Sequence, residues 1–311
     1  MEHERLQAAT TVLVTLSNAP YIDFLDNWLC HVASHNLKAL VVATDVELMQ
    51  LLNSTRQRGQ ACPLRGERLN AHAFVTSIKV ATRRGTGTGA ASFFGGSFYD
   101  ISNAKLNVVL AILQLGINAW FADPDVAFVR DPWPTFRLRL PCDYAFAYEN
   151  EKDEKSFHLS SHSNPATLGG GVSANTGFHK FSSNDRTLRL VSELVLLARL
   201  GYGADDQTNL WWLLTQPRWL SQSLHVPPAR SSSLEDPSRL VTANARGQLT
   251  LCGLPRSAHL SCYGGKHHPT LPRPKPATYH ANCVQGRANK INMMKIFHLW
   301  LLDKNATHRY R

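Results

Sequence analysis

In Asn118–Pro134, NAWFADPDVAFVRDPWP, an apolar run stops at Asp123, resumes at Val126 and ends at Asp131-Pro132. If Asn118–Ala122 is a buried strand and the chain stays extended through Pro124, the period-2 alternation of a strand puts the carboxylates of Asp123 and Asp125 on one side. Two carboxylates on one face repel, and a divalent cation relieves the repulsion; hard oxygen ligands suit Mg²⁺ or Mn²⁺, which keep positions open for water and substrate phosphates. The competing reading is a turn capped by two Asp residues, which Pro124 also suits. A turn needs no apolar strand to deliver it and no second apolar segment, Val126–Val129, after it.

Working towards the N-terminus, Ser102–Leu115, SNAKLNVVLAILQL, has an N-cap candidate in Ser102 and Gly116 beyond its end, which predicts a helix feeding the Asp-Pro-Asp segment. Lys105 then falls in its first turn, either pointing at the same site or solvated on the surface. Thr11–Leu16, TVLVTL, reads as a first strand ending in Ser17-Asn18-Ala19-Pro20, with helical spacing from Tyr21 to Ser34. Leu37–Thr44 reads as a second buried strand ending at Asp45, with a helix over Val46–Leu52. Strands alternating with helices predict an α/β fold with a Rossmann-type, mostly parallel central sheet flanked by helices. Ligands of such sheets sit at the carboxyl ends of the strands, where Ser17, Asn18 and Asp45 fall. Gly85-x-Gly87-x-x-Ala90 formally fits a dinucleotide-binding fingerprint, but it comes third in order and runs into more Gly-rich chain; the alternative is a loop folded over a ligand.

Beyond Pro134 the pattern becomes less regular. Cys142–Tyr148 predicts a short strand, Glu149–Ser163 an acidic polar loop, and Gly169–Phe178 three glycines, a short strand and an Asn175-Thr176-Gly177 turn that offers backbone and amide groups to a sugar. Arg186–Leu200 is amphipathic. Tyr202–Leu214 predicts a helix with Asp205, Asp206 and Gln207 in its first turn; capping accounts for one Asp but not for Asp-Asp-Gln together. Trp211 and Trp212 read as core. Ser221–Pro276 reads as long loops over a sheet edge, with His267-His268 lacking further ligands at metal spacing. Finally Ala277–Asp303 predicts a short strand to His280, a loop through Gly286 and a helix from Ala288, with Arg287 and Lys290 at its start. An imidazole and a flexible cation carried on one loop suit a metal-pyrophosphate site.

Composition narrows the partners. The chain has 311 residues, 43% of them hydrophobic, and a formal charge of +10. That charge favours a polyanionic partner, but its basic residues come in short groups without the basic-aromatic interleaving of an RNA-binding face. Six cysteines without a CxxC pair argue against structural zinc; Cys252 and Cys262 are the most plausible local disulfide, and free thiols fit equally well. Asn53-Ser54-Thr55 and Asn305-Ala306-Thr307 are glycosylation sequons if the chain enters a secretory lumen. No stretch is long and apolar enough to span a bilayer, and the N-terminus has no signal-peptide pattern.

Taken in order, TLSNAPYIDFLDNWLC, VVATD, KLNVVLAILQLGINAWFADPDVAFVRDPWP, SANTGF, DDQTNLWWLL and YHANCVQGRANK resemble the nucleotide-diphospho-sugar transferase family of GT-A glycosyltransferases, the group that includes plant rhamnogalacturonan xylosyltransferases and extensin arabinosyltransferases. The central block is the most specific, and the resemblance spans nearly the whole chain. It implies one GT-A-like domain over residues 1–311, with a nucleotide-binding half at 1–134 and an irregular sugar and acceptor half at 135–311. It also implies that Asp123 and Asp125 form a DxD pair, with Pro124 an unusual middle residue, and that His280 is a third ligand of Mn²⁺ or Mg²⁺. Lys290 and Lys105 would contact phosphate; Ser17, Asn18 and Asp45 would line the uridine pocket; Asn175, Asp205, Asp206 and Gln207 would surround the transferred sugar. The implied activity is retaining transfer of a pentose or hexose from a UDP-sugar to a glycan or glycoprotein in the Golgi lumen, without nucleic acid. The alternatives are an inactive nucleotide-sugar or glycan-binding relative, an NAD-type oxidoreductase built on Gly85, and a nucleic-acid binder.

Overall fold

A computed structural model describes residues 11–58, 74–77, 96–134, 142–148, 174–203, 205–214, 224–225, 242–243, 249–254, 258–261, 271, 275–282 and 284–302. The Gly85 motif, the acidic loop at 149–163, the glycines at 169–171, His267-His268 and Asn305 lie outside these residues.

Four parallel strands form the nucleus: β1 (Thr11–Ser17), β2 (Ala39–Ala43), β3 (Phe74–Ser77) and β4 (Asn118–Ala122). The chain continues through β5 (Val126–Phe128), β6 (Tyr144–Tyr148), β7 (Ala174–Phe181), the short antiparallel pair β8 (Leu224–His225) and β9 (Thr242–Ala243), β10 (Leu251–Leu254), β11 (His259–Ser261) and β12 (Thr278–His280). One large sheet is ordered β10-β6-β7-β4-β1-β2-β3, and a smaller one β11-β12-β5. In the large sheet only β7 runs against its neighbours. Alternation along β4 explains the layering, because Ala119 and Phe121 face one hydrophobic cluster while Trp120 and Ala122 face the other. Helices α1 (Ile22–Ser34) and α2 (Val46–Arg58) cover the Trp120 side; α3 (Gly96–Gln114), α4 (Asp185–Leu200) and α5 (Asp206–Leu214) cover the Phe121 side. Helix α6 (Arg287–Ile296) packs on the small sheet through Met294, beside Tyr279 and Phe297.

Several expectations need correction. Ser102 is no N-cap: α3 starts at Gly96, so Lys105 lies in mid-helix and is buried rather than solvated. The chain does not stay extended through Pro124. Val126 N–H bonds back to Asp123 C=O at 3.0 Å, and this tight turn carries the chain from the large sheet into the small one. Asn175-Thr176-Gly177 is not a turn but part of the eight-residue strand β7, whose pairing with β6 shifts register between Phe146 and Ala147. Trp211 is only partly buried and donates to Ala174 C=O, while Trp212 is at the surface against Tyr202. The region after Ser221 is not all loop, since β10 extends the large sheet and β11 the small one. Finally, Cys252 pairs with Cys142, 110 positions away, and not with Cys262: β10 lies parallel to β6 and brings the two residues to a Cα separation of 6.1 Å.

Buried Asp143 ties the distal elements together. It accepts from Asn184 Nδ2 at 2.7 Å, from Arg186 at 2.9 and 2.7 Å, and from Thr250 N at 2.7 Å, so the α4 N-terminus and the approach to β10 hang on one carboxylate. Asn184 caps α4 reciprocally with Thr187, and Gly201 closes that helix in the left-handed conformation that glycine tolerates. Nearby, Lys180 is fully buried and donates to Cys142 C=O at 2.6 Å and to Ser182 Oγ; burial, only partly offset by Asp143, lowers its pKa to about 7. Asp143→Ala removes the shared acceptor of Asn184, Arg186 and Thr250, partly buried bonds that include an ion pair, and should destabilise the chain by about 2–4 kcal/mol in urea unfolding. Lys180 gives up its proton in the folded state well below the pH at which it does so unfolded. Stability should therefore rise as pH increases from about 7 towards 10.5, and Lys180→Met should flatten that rise in unfolding curves recorded at pH 7 and 9.

Candidate active site

A cavity of about 250 Å³ opens at the carboxyl ends of β1 and β4. Its wall includes Ser17 at the end of β1 and Asn18 after it, Ile101, Ser102 and Lys105 on α3, the Asp123-Pro124-Asp125 turn, Asn175–Gly177 of β7, Asp205–Gln207 at the start of α5, and His280, Asn282 and Lys290. All the site residues singled out from the sequence meet here except Asp45. The Asp45 carboxylate instead accepts from Leu48 N at 2.6 Å and Ala19 N at 2.9 Å, capping α2 and holding the loop after β1.

Two strand pairs, β12 with β5 and β4 with β7, set the centre. The antiparallel register of β12 on β5 places His280 opposite Val126, one residue beyond Asp125, and Ala281 N bonds Asp125 C=O at 3.2 Å. On the other side, Asp123 N bonds Gly177 C=O at 2.7 Å, which extends the β4–β7 pairing. One ligand atom from each of Asp123, Asp125 and His280 then falls within 4.8 Å of the others. Gly177 permits this: a Cβ at that position would overlap the His280 ring and lie 2.7 Å from Asp123 Oδ2.

Electrostatics tie the wall together. Asp125 Oδ2 accepts from Lys290 Nζ at 2.6 Å and its Oδ1 lies 3.2 Å from His280 Nε2. Burial opposes ionisation of Asp125, yet Lys290 and His280 outweigh it and hold the carboxyl far below the usual range. Lys290 is raised in turn, because Asp125 overcomes the cost of burying the ammonium. On the opposite wall Lys105 Nζ sits 3.0 Å from Asp206 Oδ2 and 3.5 Å from Asp123 Oδ1. Burial would discharge Lys105, but these carboxylates keep it charged. Burial pushes Asp206 up to about 6, the ion pair with Lys105 pulling the other way. Asp205 accepts from Thr208 N at 2.7 Å, so capping accounts for it and not for Asp206. Gln207 Oε1 accepts from Thr176 N at 3.1 Å, and Asn175 Oδ1 from Gly177 N at 2.8 Å.

The donor set suits a divalent cation. Two carboxylates and an imidazole offer hard and borderline ligands. Among the described residues, Asp123, Asp125 and Asp206 share the ammonium groups of Lys105 and Lys290, so the carboxylates outnumber them. His280 Nε2 lies 3.2 Å from Asp125 Oδ1, and its Nδ1 is buried without a hydrogen-bond partner among the described residues.

Some wall residues had no role in the sequence reading: Tyr21 and Phe24 read as the apolar side of a helix, and Asn282 only as part of the YHANCVQGRANK block. Arg287 goes elsewhere, forming a bidentate pair with buried Asp23 that anchors α6 on α1. Gly177→Ala should fold, because β7 keeps its pairing, but should displace His280 or Asp123; an affinity for Mn²⁺ lowered by about tenfold or more in calorimetric titration is the expected result.

Among curated proteins, a UDP-D-xylose:L-fucose alpha-1,3-D-xylosyltransferase of Arabidopsis thaliana is 27% identical over 125 residues, 40% of this chain and 29% of that protein. A second, UDP-D-xylose:L-fucose alpha-1,3-D-xylosyltransferase 3 of the same plant, is 24% identical over 95% of this chain and 68% of its own length. The chain thus aligns with less than a third of the first relative. Among solved structures, galactosyltransferase LgtC in complex with donor and acceptor sugar analogs superposes with a TM-score of 0.50 at 11% identity, covering 96% of this chain and 100% of that one, which places the present α/β architecture with the GT-A fold. The family profile described as nucleotide-diphospho-sugar transferase matches residues 36–294, more than four-fifths of the sequence and every strand that brings Asp123, Asp125 and His280 together; the chain belongs to the nucleotide-diphospho-sugar transferase family.

Proposed function

We propose that the protein is a divalent-metal-dependent, retaining glycosyltransferase that moves a sugar, a pentose or hexose, from a UDP-sugar to a glycan or glycoprotein acceptor. The observation that carries this reading is the convergence of Asp123, Asp125 and His280 with Lys105, Lys290 and Asp206 on one cavity at the carboxyl ends of parallel strands. The xylosyltransferase relatives favour a pentose donor.

Breaking a sugar–phosphate bond leaves charge on the departing diphosphate. Mn²⁺ or Mg²⁺, held by Asp123, Asp125 and His280, would supply Lewis-acid neutralisation of that charge. Lys290 adds a movable ammonium on the same side, now occupied by Asp125. Ser17 and Asn18, at the β1 end of the cavity, suit the uridine, and Asp45 acts there indirectly by holding the loop that carries Asn18. Asp206 and Gln207 face the opposite wall, where an oxygen near the anomeric carbon stabilises oxocarbenium character. Lys105 keeps Asp206 fixed and charge-balanced, and the Thr176 amide fixes which end of Gln207 is oxygen. Asn175 and Asp205 complete the sugar side, giving a nucleotide half over 1–134 and a sugar and acceptor half over 135–311 within one domain.

A secretory lumen, the Golgi by family resemblance, suits the Cys142–Cys252 disulfide, since such bonds persist in oxidising compartments, and Asn53, the acceptor of the first sequon, is exposed on α2. No helix among the described residues is long and apolar enough to cross a membrane.

The test is calorimetric titration of UDP into the purified chain with Mn²⁺ and again with excess chelator, followed by turnover assays with UDP-sugars. Binding that requires Mn²⁺ and is lost in Asp125→Ala is expected. UDP binding without turnover for any donor would favour the binding-only relative, and equal binding in chelator would remove the metal from the reading.

A further inference from the structure

For His280 to present Nε2 to a cation, its ring proton must sit on Nδ1, and metal-bound imidazoles hold their direction by giving that proton to an acceptor. Nδ1 of His280 is buried and finds no acceptor among the described residues. The adjacent ring is His259 on β11, a strand parallel to β12 with His259 in register with Thr278, so the two imidazoles project from the same face of the small sheet. Their centroids lie 6.2 Å apart. His259 is itself buried, stacked flat on Phe178 at 4.9 Å, and tied through Nδ1 to Thr278 Oγ1 at 2.6 Å, while its Nε2 is likewise without a partner among the described residues. A proton on His259 Nδ1, donated to Thr278, leaves Nε2 a pure acceptor.

We propose that His259 is a positioning residue for the metal ligand His280: its Nε2 accepts, across one bridging water, the proton that His280 carries on Nδ1, and Phe178 and Thr278 hold the His259 ring in that orientation. One donor and one acceptor, each buried and without a partner among the described residues, answer each other. The flat Phe178 contact covers one face of the His259 ring and keeps that ring from rotating. Packing alone gives no reason for a histidine here, since a phenylalanine would fill the same slot against Phe178.

This role rests on the proposed metal site, and the two are separable. Mn²⁺ is titrated in the presence of UDP into the wild-type chain, His259→Phe, His259→Gln and Asp125→Ala, with melting temperatures recorded alongside. Loss of binding in Asp125→Ala tests the metal site. His259→Phe, which keeps the stack but offers no acceptor, should weaken Mn²⁺ binding about 10- to 100-fold, and His259→Gln, whose amide oxygen can accept, should recover most of that loss. Wild-type affinity in His259→Phe, or equal weakening in His259→Gln, overturns the positioning role while Asp125→Ala still reports the metal site; no Mn²⁺ binding by the wild-type chain overturns both. A measurement that needs no variant uses ¹⁵N-detected imidazole spectra of the wild-type chain with Mg²⁺ and UDP. A proton on His280 Nδ1 and a bare His259 Nε2 are expected, and a proton on His259 Nε2 overturns the proposal.

Discussion

Everything at the cavity depends on where the chain changes sheets. Between β4 and β5 it has three residues, Asp123-Pro124-Asp125, in which to leave a seven-stranded, mostly parallel layer and enter a three-stranded one. Proline presets the φ of a tight turn, and the Asp123 C=O to Val126 N–H bond closes it. Each Asp is thereby pinned to a different neighbour: Asp123 by its amide to Gly177 on β7, Asp125 by its carbonyl to Ala281 beyond β12. The backbones of two sheets meet there, and the carboxylates cannot separate. Their proximity to His280 follows from strand register and not from any local preference of the side chains.

Such a concentration of carboxylates in a buried wall is costly, and the surrounding groups offset the cost in different ways. Lys290 and Lys105 are held charged by the acids beside them despite burial, while Asp206, deeper in the wall, is pulled towards neutrality by desolvation. The cations therefore make the unliganded wall tolerable, and on the proposed reading they also answer the negative charge that a diphosphate would bring. Lys290, on a helix start and partly exposed, can change partners; Lys105, enclosed between Asp123, Asp206 and the Phe121 ring, is fixed.

The distal half shows the same logic at larger scale. Asp143 and the Cys142–Cys252 link fasten β10, the α4 N-terminus and β6 to one another. Because β7 runs against β6 and β4, that fastened unit also fixes Asn175–Gly177 and the Thr176 amide that orients Gln207. Rigidity far from the cavity thus sets the geometry inside it.

The sequence by itself determined the alternation of strands and helices, the parallel sheet, and the residue types that gather at its carboxyl ends, because hydrophobic period, turn residues and Asp-Pro-Asp are local signals. His280, 155 positions beyond Asp125, was legible locally as an imidazole on a loop that also carries cations, but its pairing with the two Asp residues came only from the order of motifs, since no local rule joins residues so far apart. What the tertiary structure decided was long-range pairing: that Asp-Pro-Asp is a turn between two sheets, that Lys105 is buried in mid-helix, that Cys142 and not Cys262 meets Cys252, that Asp45 caps a helix, and that Gly177 is a point of close approach. Each depends on which strands become neighbours and in what register, and register is set by burial on both faces of a finished sheet, a property that no short window of residues contains.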